Sequence, residues 1–142
     1  MIFGGGTPLD FGKKFRGKPI FGKHKTIRGT VSGIASGIIV AYAESLLFGF
    51  GWLLYAGMAM SVGTLLGDLA GSFIKRRIGM KEGHSLALLD QYPFLVFALA
   101  AAYPFGHTPG VFGVLFLLIL TGVMHKLTNA LAYMAKLKSV PW

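Results

Sequence analysis

The chain has 142 residues, of which 54% are hydrophobic and 13% are charged, and its formal net charge is +9 at pH 7. A soluble domain usually carries about 25% charged residues, so this composition argues against a soluble domain. The positive charge could suggest a nucleic-acid partner, but the aromatic residues lie within apolar runs and we expect no nucleic-acid binding. Cysteine is absent, which excludes disulfides and Cys-ligated metal sites.

The amino-terminal region, residues 1–29, is punctuated by Gly and Pro and carries half of all the basic residues. We predict a basic cytoplasmic loop rather than a helix, ordered by a bound ligand. The alternative role of this loop is attraction to anionic lipid head groups, at about 1 kcal/mol per basic residue. Its basic residues are Lys13, Lys14, Arg16, Lys18, Lys23, Lys25 and Arg28.

The rest of the chain, residues 30–142, is predicted to be a membrane domain. About 20 apolar residues suffice to cross a bilayer. We predict four spans near residues 30–48, 52–73, 86–103 and 111–134, with a cytoplasmic loop over residues 74–85. Gly33 and Gly37 give the first span a GxxxG face suited to close helix packing. The predicted fold class is therefore an all-α integral membrane protein, a bundle of four transmembrane helices.

Three groups of basic residues lie at residues 13–28, 75–81 and 136–138. These groups precede the first span, follow the second and follow the fourth, so four spans place all three on one side of the membrane. The positive-inside rule makes that side cytoplasmic. We therefore predict a multi-pass cell-membrane protein whose ionisable residues meet at the cytoplasmic face.

The end of the second span carries polar residues at helical spacing. Asp68, Ser72, Lys75 and Arg76 fall on one stripe of the predicted helix. An aspartate inside the polar boundary is costly and is a functional candidate by default. Two plainer interpretations stay open: Asp68 could be an ion-pair partner of a neighbouring basic residue, and the basic residues could be stop-transfer charges alone.

Further ionisable residues follow this stripe, namely Lys81, Glu82 and Asp90. Carboxylates bind Mg²⁺, and Arg and Lys bind phosphates, so the region offers both kinds of group. The main alternative is a small transporter or channel subunit, which would place its functional polar groups near the middle of the bilayer. Here the polar cluster lies at the predicted cytoplasmic boundary, which favours an interfacial enzyme.

This pattern resembles the signature of the CDP-diacylglycerol synthases, although Glu82 stands where that family usually has Asp, and its HGG and DRxD motifs are missing. The archaeal branch of the family, the CDP-archaeol synthases, is more similar. The similar segments are Gly67-Asp68, Ser72, Lys75-Arg76, Lys81-Glu82, Pro8-Leu9-Asp10, Phe15-Arg16-Gly17-Lys18, Phe21-Gly22, Lys25-Thr26, Arg28-Gly29, Asp90-Gln91-Tyr92-Pro93-Phe94 and His125-x-x-Thr128-Asn129.

The resemblance implies transfer of a cytidylyl group from CTP to a lipid phosphate, with release of pyrophosphate. In the archaeal branch the acceptor is 2,3-bis-O-geranylgeranylglycerol 1-phosphate. The expected partners are CTP, this lipid phosphate and the bilayer, the expected cofactor is Mg²⁺, and a homodimer is an open alternative. The branch is expected to have five spans. Residues 1–6 would then be the end of a first span that is missing through a misplaced start codon or a truncation.

The resemblance also implies roles for the candidate site residues. We expect Asp68 and Asp90 to bind Mg²⁺, with Glu82 as a third ligand. Asp10 would read the nucleotide or a second metal. The residues expected to contact phosphates are Ser72, Lys75, Arg76 and Lys81, and those expected to close over the triphosphate are Arg16, Lys18, Lys25 and Arg28. Within this set Asp68, Asp90, Lys75 and Arg76 are the predicted catalytic residues.

Overall fold

The structure is a computed structural model that describes residues 6–80, 82, 86–106 and 108–137, without the side chains of residues 87 and 88. The predicted all-helical membrane fold class is confirmed, with one short hairpin added. The chain divides into two units, one holding every element up to residue 108 and the other holding the last helix. The elements are β1 (Lys14–Phe15), β2 (Lys18–Pro19), α1 (Ile27–Phe48), α2 (Trp52–Arg77), α3 (Ala87–Gln91), α4 (Pro93–Ala102), a 3₁₀ turn (Tyr103–Phe105) and α5 (Val111–Met134).

Helices α1, α2 and α5 contain 22, 26 and 24 residues. At about 1.5 Å per residue they are about 33, 39 and 36 Å long, which exceeds the roughly 30 Å of a hydrocarbon core. They are long and apolar enough to cross a membrane, and they occupy three of the four predicted spans. Because every backbone group in a helix is bonded within the segment, helices of this kind can lie in lipid.

The predicted third span, residues 86–103, differs from the structure because it is divided into α3 and α4. Pro93 is the first residue of α4 and has no N–H, so it cannot donate to the carbonyl of Leu89 one turn earlier. Tyr92 stands between the two helices as their shared cap. The third apolar segment is therefore a short α3, a break, and an apolar helix over residues 93–105.

Helices α1 and α2 form a hairpin joined by three residues. Gly49 ends α1 with a positive φ of 71°, a backbone conformation that glycine adopts without strain. A Cβ added to Gly37 would lie 2.1 Å from Oγ of Ser61, and one added to Gly57 would lie 2.3 Å from Cβ of Ala41. The glycines let the two helices approach closely, as the GxxxG face predicts.

A second glycine stripe lies on α2, with its members four residues apart. A Cβ added to these glycines would lie 2.4 to 2.5 Å from a carbonyl oxygen of α3 or α4, closer than any side chain allows. The contacts are Gly63 with Phe97, Gly67 with Pro93 and Gly71 with Leu89. The backbones of α3 and α4 therefore pack directly against the backbone of α2.

The stripe predicts that Gly67→Ala destabilises the protein. The new methyl would meet the backbone of Pro93 and Phe94 rather than a side chain that can move, and overpacking of this kind costs about 1–3 kcal/mol. The midpoint of heat-induced loss of the monodisperse peak in size-exclusion chromatography should fall. Gly51→Ala is the control, because Gly51 has φ −59° and open space at its Cβ position. Equal midpoints in the two variants would contradict the backbone contact.

Candidate functional site

The basic amino-terminal loop folds into a hairpin. Strands β1 and β2 pair antiparallel, with Phe15 opposite Lys18. The two turn residues, Arg16 and Gly17, have φ values of +51° and +77°. Two positive φ angles in succession are typical of the type I′ turn, whose twist matches that of paired strands. Residues 6–26 contain this hairpin and no helix, and α1 begins at Ile27, three residues before the predicted start of the first span.

Asp10 is buried at the base of this loop, with 7% of its surface exposed. Its Oδ1 accepts a hydrogen bond from the Gly12 N–H (3.0 Å), and its Oδ2 accepts from the N–H groups of Phe21 (3.0 Å) and Gly22 (3.2 Å). Burial raises the pKa of the Asp10 carboxyl, but these backbone donors lower it by more, so its pKa lies below the ordinary value. Both oxygens accept backbone hydrogen bonds inside the loop, so Asp10 holds the loop together. Its contact with the nucleotide or a second metal stays a prediction.

Arg77 fixes the hairpin to the end of α2. Its guanidinium donates to the carbonyl oxygens of Phe15, Lys18 (3.2 Å) and Pro19. It also stacks against the rings of Phe15 (5.5 Å to the centroid) and Phe73 (4.9 Å). The prediction did not include Arg77 in the site, because Arg77 lies off the stripe of Asp68. Its i, i+4 spacing from Phe73 on α2 indicates that the two side chains can stack, and this is the sequence feature that could have identified Arg77.

Lys18 and Arg76, both predicted to contact phosphates, are engaged with backbone carbonyls. Lys18 Nζ donates to the carbonyl of Arg77 (2.9 Å), at the carboxyl end of α2. Arg76 is only 7% exposed and donates to the carbonyl of Met80 (2.7 Å). Its Nε is buried without a hydrogen-bond partner among the described residues. In this structure both residues stabilise the end of α2 and the turn that follows it.

Two ion pairs join four of the predicted site residues. Lys25 Nζ lies 2.5 Å from Oδ2 of Asp68, which joins the basic loop to α2. Lys75 is paired with Asp90, which joins α2 to α3. Asp90 also accepts a hydrogen bond from the N–H of Leu86 (2.8 Å) through its second oxygen. The structure therefore brings the candidate acids together with candidate bases from separate parts of the sequence.

Glu82 faces the loop rather than the other two carboxylates. Its Oε1 accepts a hydrogen bond from the N–H of Lys23 (3.3 Å), and Nε2 of His24 lies 4.0 Å from its other oxygen. No group of three His, Asp or Glu side chains that could hold a metal occurs among the described residues. The predicted set of Asp68, Asp90 and Glu82 is not assembled here, because each carboxylate has its own cationic or amide partner.

The remaining candidates differ in exposure. Ser72 is buried within α2, at 4% exposure. Arg16 is exposed, and its guanidinium lies 5.6 Å from the centre of the Phe15 ring. Arg28 is exposed at the start of α1. Lys81 lies outside the described residues.

Helix α5 carries its own polar pair within the second unit. The side-chain amide nitrogen of Asn129 lies 3.2 Å from Nδ1 of His125, one turn apart. The Thr128 hydroxyl donates to the carbonyl of Met124 (2.8 Å). The side chains of His125, Thr128 and Asn129 thus make hydrogen bonds within the helix.

The sequence pattern of the family described as CarS-like, CDP-archaeol synthase, matches residues 1–142. A CDP-archaeol synthase of Pyrococcus abyssi is 49% identical to the chain over 148 residues, covering 100% of the chain and 88% of that protein. The CDP-archaeol synthase of Methanopyrus kandleri is 43% identical, with 99% of the chain and 83% of that protein covered.

A solved structure is also similar to this one. It comes from work on an intramembrane enzyme for the biosynthesis of archaeal membrane lipids. The TM-score is 0.85 at 33% sequence identity, and the match covers 90% of this chain and 82% of the other. At this identity and coverage the likeness extends over most of both chains.

The role of Arg77 predicts that Arg77→Gln releases the hairpin. The variant loses the forked contacts to three carbonyls and the stacking on two rings, and a neutral amide cannot restore both. Chymotrypsin should cleave after Phe15 faster in this variant than in the wild type. Lys13→Gln is the control, because Lys13 is an exposed basic residue of the same loop. Cleavage at the wild-type rate in Arg77→Gln would disprove the anchoring role.

The lowered pKa of Asp10 predicts a pH-dependent loop. A carboxyl whose folded pKa is depressed stabilises the fold fully above its ordinary pKa of 3.8, and this stabilisation is lost as the pH falls through the folded pKa. Hydrogen exchange should therefore show the amides of Gly12, Phe21 and Gly22 protected at pH 6 and losing protection below about pH 4. In Asp10→Asn the protection should be weaker at pH 6. The same pH dependence in both proteins would assign the transition to another group.

Proposed function

Because the chain belongs to the CDP-archaeol synthase family, we propose that it transfers a cytidylyl group from CTP to an archaeal ether-lipid phosphate. The proposed acceptor is 2,3-bis-O-geranylgeranylglycerol 1-phosphate, and the products are CDP-archaeol and pyrophosphate. The observation that supports this most directly is the pair of lysine–carboxylate contacts, Lys25 with Asp68 and Lys75 with Asp90, at the basic end of α2.

These ion pairs match the charges of a metal–nucleotide complex. The triphosphate offers oxygens that can replace the carboxylates as partners of Lys25 and Lys75. A magnesium ion bound to the same triphosphate can replace the lysines as partner of the carboxylates. Mg²⁺ commonly binds proteins through one or two carboxylates together with substrate phosphates, so a cage of three acidic residues is not required.

Asp68 is the carboxylate that fits such an ion best. Its side chain is 44% exposed, and one of its oxygens pairs with Lys25. Asp90 is less accessible, at 19% side-chain exposure, and both of its oxygens accept hydrogen bonds. When bound, Mg²⁺ would neutralise charge on the phosphates.

The proposed chemistry needs positioning and charge neutralisation more than it needs covalent catalysis. An oxygen of the lipid phosphate attacks the α-phosphorus of CTP in line. A new P–O bond forms while the bond between the α-phosphorus and the pyrophosphate oxygen breaks, and pyrophosphate carries away the negative charge. Lys25 and Lys75 are placed to hold phosphate oxygens during this exchange. The positive-inside rule puts this reaction at the cytoplasmic face.

The ion pairs also bear on the alternative of a transporter or channel subunit. That function favours ionisable groups near the bilayer midplane. Among the described residues, the ion pairs involve the basic loop, the last three turns of α2, Glu82 and α3. This position suits an enzyme that meets a soluble nucleotide and a membrane lipid.

The proposed activity is tested with the purified protein, radiolabelled CTP and Mg²⁺. One reaction receives archaeol phosphate, a second receives phosphatidate and a third receives no lipid. A labelled CDP-lipid should form with archaeol phosphate and be absent without lipid. No labelled lipid from either acceptor would overturn the proposed function.

We predict that Asp68→Asn lowers turnover by at least about 100-fold. The variant keeps the shape of the side chain but removes the negative charge that faces Lys25 and would bind the magnesium ion. The rate of CDP-lipid formation measures this. Glu44→Gln is the matched control, an acid-to-amide change at an exposed residue of α1, and should retain wild-type turnover. Both variants should elute as the wild type does in size-exclusion chromatography. Wild-type turnover in Asp68→Asn would remove Asp68 from the reaction.

A further inference from the structure

A concave surface lies at the amino-terminal end of α1, where the basic loop leads into the first long helix. Its volume is about 600 Å³. Its lining includes Gly6, Thr7, Ile27, Arg28, Val31 and Ser32. We call this surface the α1 pocket. None of the residues in the two ion pairs of the candidate active site lines this pocket.

Arg28 is the charged member of the α1 pocket. No acidic residue lines the pocket within the described part of the chain. Two other basic residues of the loop are engaged, since Lys18 donates to a carbonyl of α2 and Lys25 pairs with Asp68. Arg28 has no hydrogen-bond or ion-pair partner among the described residues, and it is exposed. Its planar guanidinium is therefore available to bind an anion with two parallel hydrogen bonds.

The pocket joins polar and apolar groups in one place. The Thr7 hydroxyl supplies a further hydrogen-bond donor beside Arg28. Ile27 and Val31 present apolar surface, with exposures of 36% and 60%. They stand in the first two turns of a helix long enough to span a membrane. A ligand with a phosphate at one end and an alkyl chain at the other satisfies both parts of the lining.

The α1 pocket is also near the proposed reaction centre. Arg28 follows Lys25 by three residues, and three residues span at most about 11 Å of chain. Lys25 is the residue that contacts Asp68. The backbone positions of Arg28 and Lys25 are therefore neighbours.

We propose that the α1 pocket binds the phosphomonoester of the lipid acceptor, with Arg28 as its principal ligand. This proposal rests on the proposed function, and it moves Arg28 from the expected triphosphate site to an acceptor site. The phosphates of the nucleotide and of the lipid are then bound by different residues. The nucleotide is held by residues that are paired with carboxylates, and the lipid is held by a basic residue at the start of a span.

The test measures binding and turnover separately. Native mass spectrometry in neutral detergent counts the archaeol phosphate bound to the wild type, Arg28→Gln and Arg28→Lys. Archaeol without phosphate and phosphatidylglycerol, a phosphodiester, are the comparison lipids. Binding of CTP with Mg²⁺ is measured on the same proteins by calorimetry. Lys14→Gln is the matched control, since Lys14 is an exposed basic residue on β1 and lies outside the pocket lining.

We expect Arg28→Gln to bind archaeol phosphate about 10 to 100 times more weakly, the effect of losing hydrogen bonds to a charged group. Arg28→Lys should lose less, because it keeps the charge without the fork. Binding of CTP should be unchanged in both variants. In turnover, Arg28→Gln should raise the KM for archaeol phosphate and leave the KM for CTP unchanged, and Lys14→Gln should match the wild type throughout.

Three outcomes would overturn the α1 pocket as an acceptor site. The first is unchanged binding of archaeol phosphate in Arg28→Gln. The second is an equal loss of phosphatidylglycerol binding, which would indicate general attraction to head groups. The third is weakened CTP binding, which would assign Arg28 to the triphosphate. The binding measurements need no turnover. If the wild type makes no CDP-lipid, the proposed function fails while the binding results still decide whether the pocket recognises a phosphomonoester.

Discussion

The glycine stripe of α2 is the contact on which the candidate site depends. Because Gly63, Gly67 and Gly71 have no side chains, the carbonyls of α3 and α4 rest against the α2 backbone. This approach carries Asp90 to the side of α2 that bears Lys75. In lipid, where helices gain no hydrophobic advantage from meeting, such close van der Waals contact is a main source of association. The same glycines that hold the bundle together therefore set the position of one ion pair.

The basic loop is positioned at the site by hydrogen bonds of charged side chains to the backbone. Its path is fixed internally by Asp10, which binds three backbone N–H groups, and externally by Arg77, which binds three carbonyls. Both residues use charge to satisfy main-chain groups of this segment. Lys25 then extends from this fixed loop to Asp68. Asp10 and Arg77 therefore fix the path of the predicted nucleotide-binding loop, and its cations Lys13, Lys14 and Arg16 stay exposed.

Apolar length predicts the long spans. Helical spacing predicts the stripe of Asp68, Ser72, Lys75 and Arg76. The sequence did not predict which acid meets which base, since Lys25 and Asp68 are 43 residues apart and their contact depends on the loop. Pro93 lies inside an apolar run long enough for one span, so apolar length predicts an unbroken helix, whereas the missing N–H of Pro93 divides the run into α3 and α4. The roles of Asp10 and Arg77 depend on backbone groups, which carry no residue-type signal.

The partly exposed pair of Lys25 and Asp68 explains how the site can be stable without substrate and still be accessible to it. An exposed lysine–carboxylate pair contributes only between about 0 and 1 kcal/mol, because water solvates each charge nearly as well as its partner does. Lys25 and Asp68 are of this kind, with side-chain exposures of 27% and 44%. Separating them costs little, whereas leaving either charge without a partner in a buried place would cost much more. A ligand that brings both a cation and phosphates offers each residue a new partner at the same moment, so binding need not leave any charge unpaired.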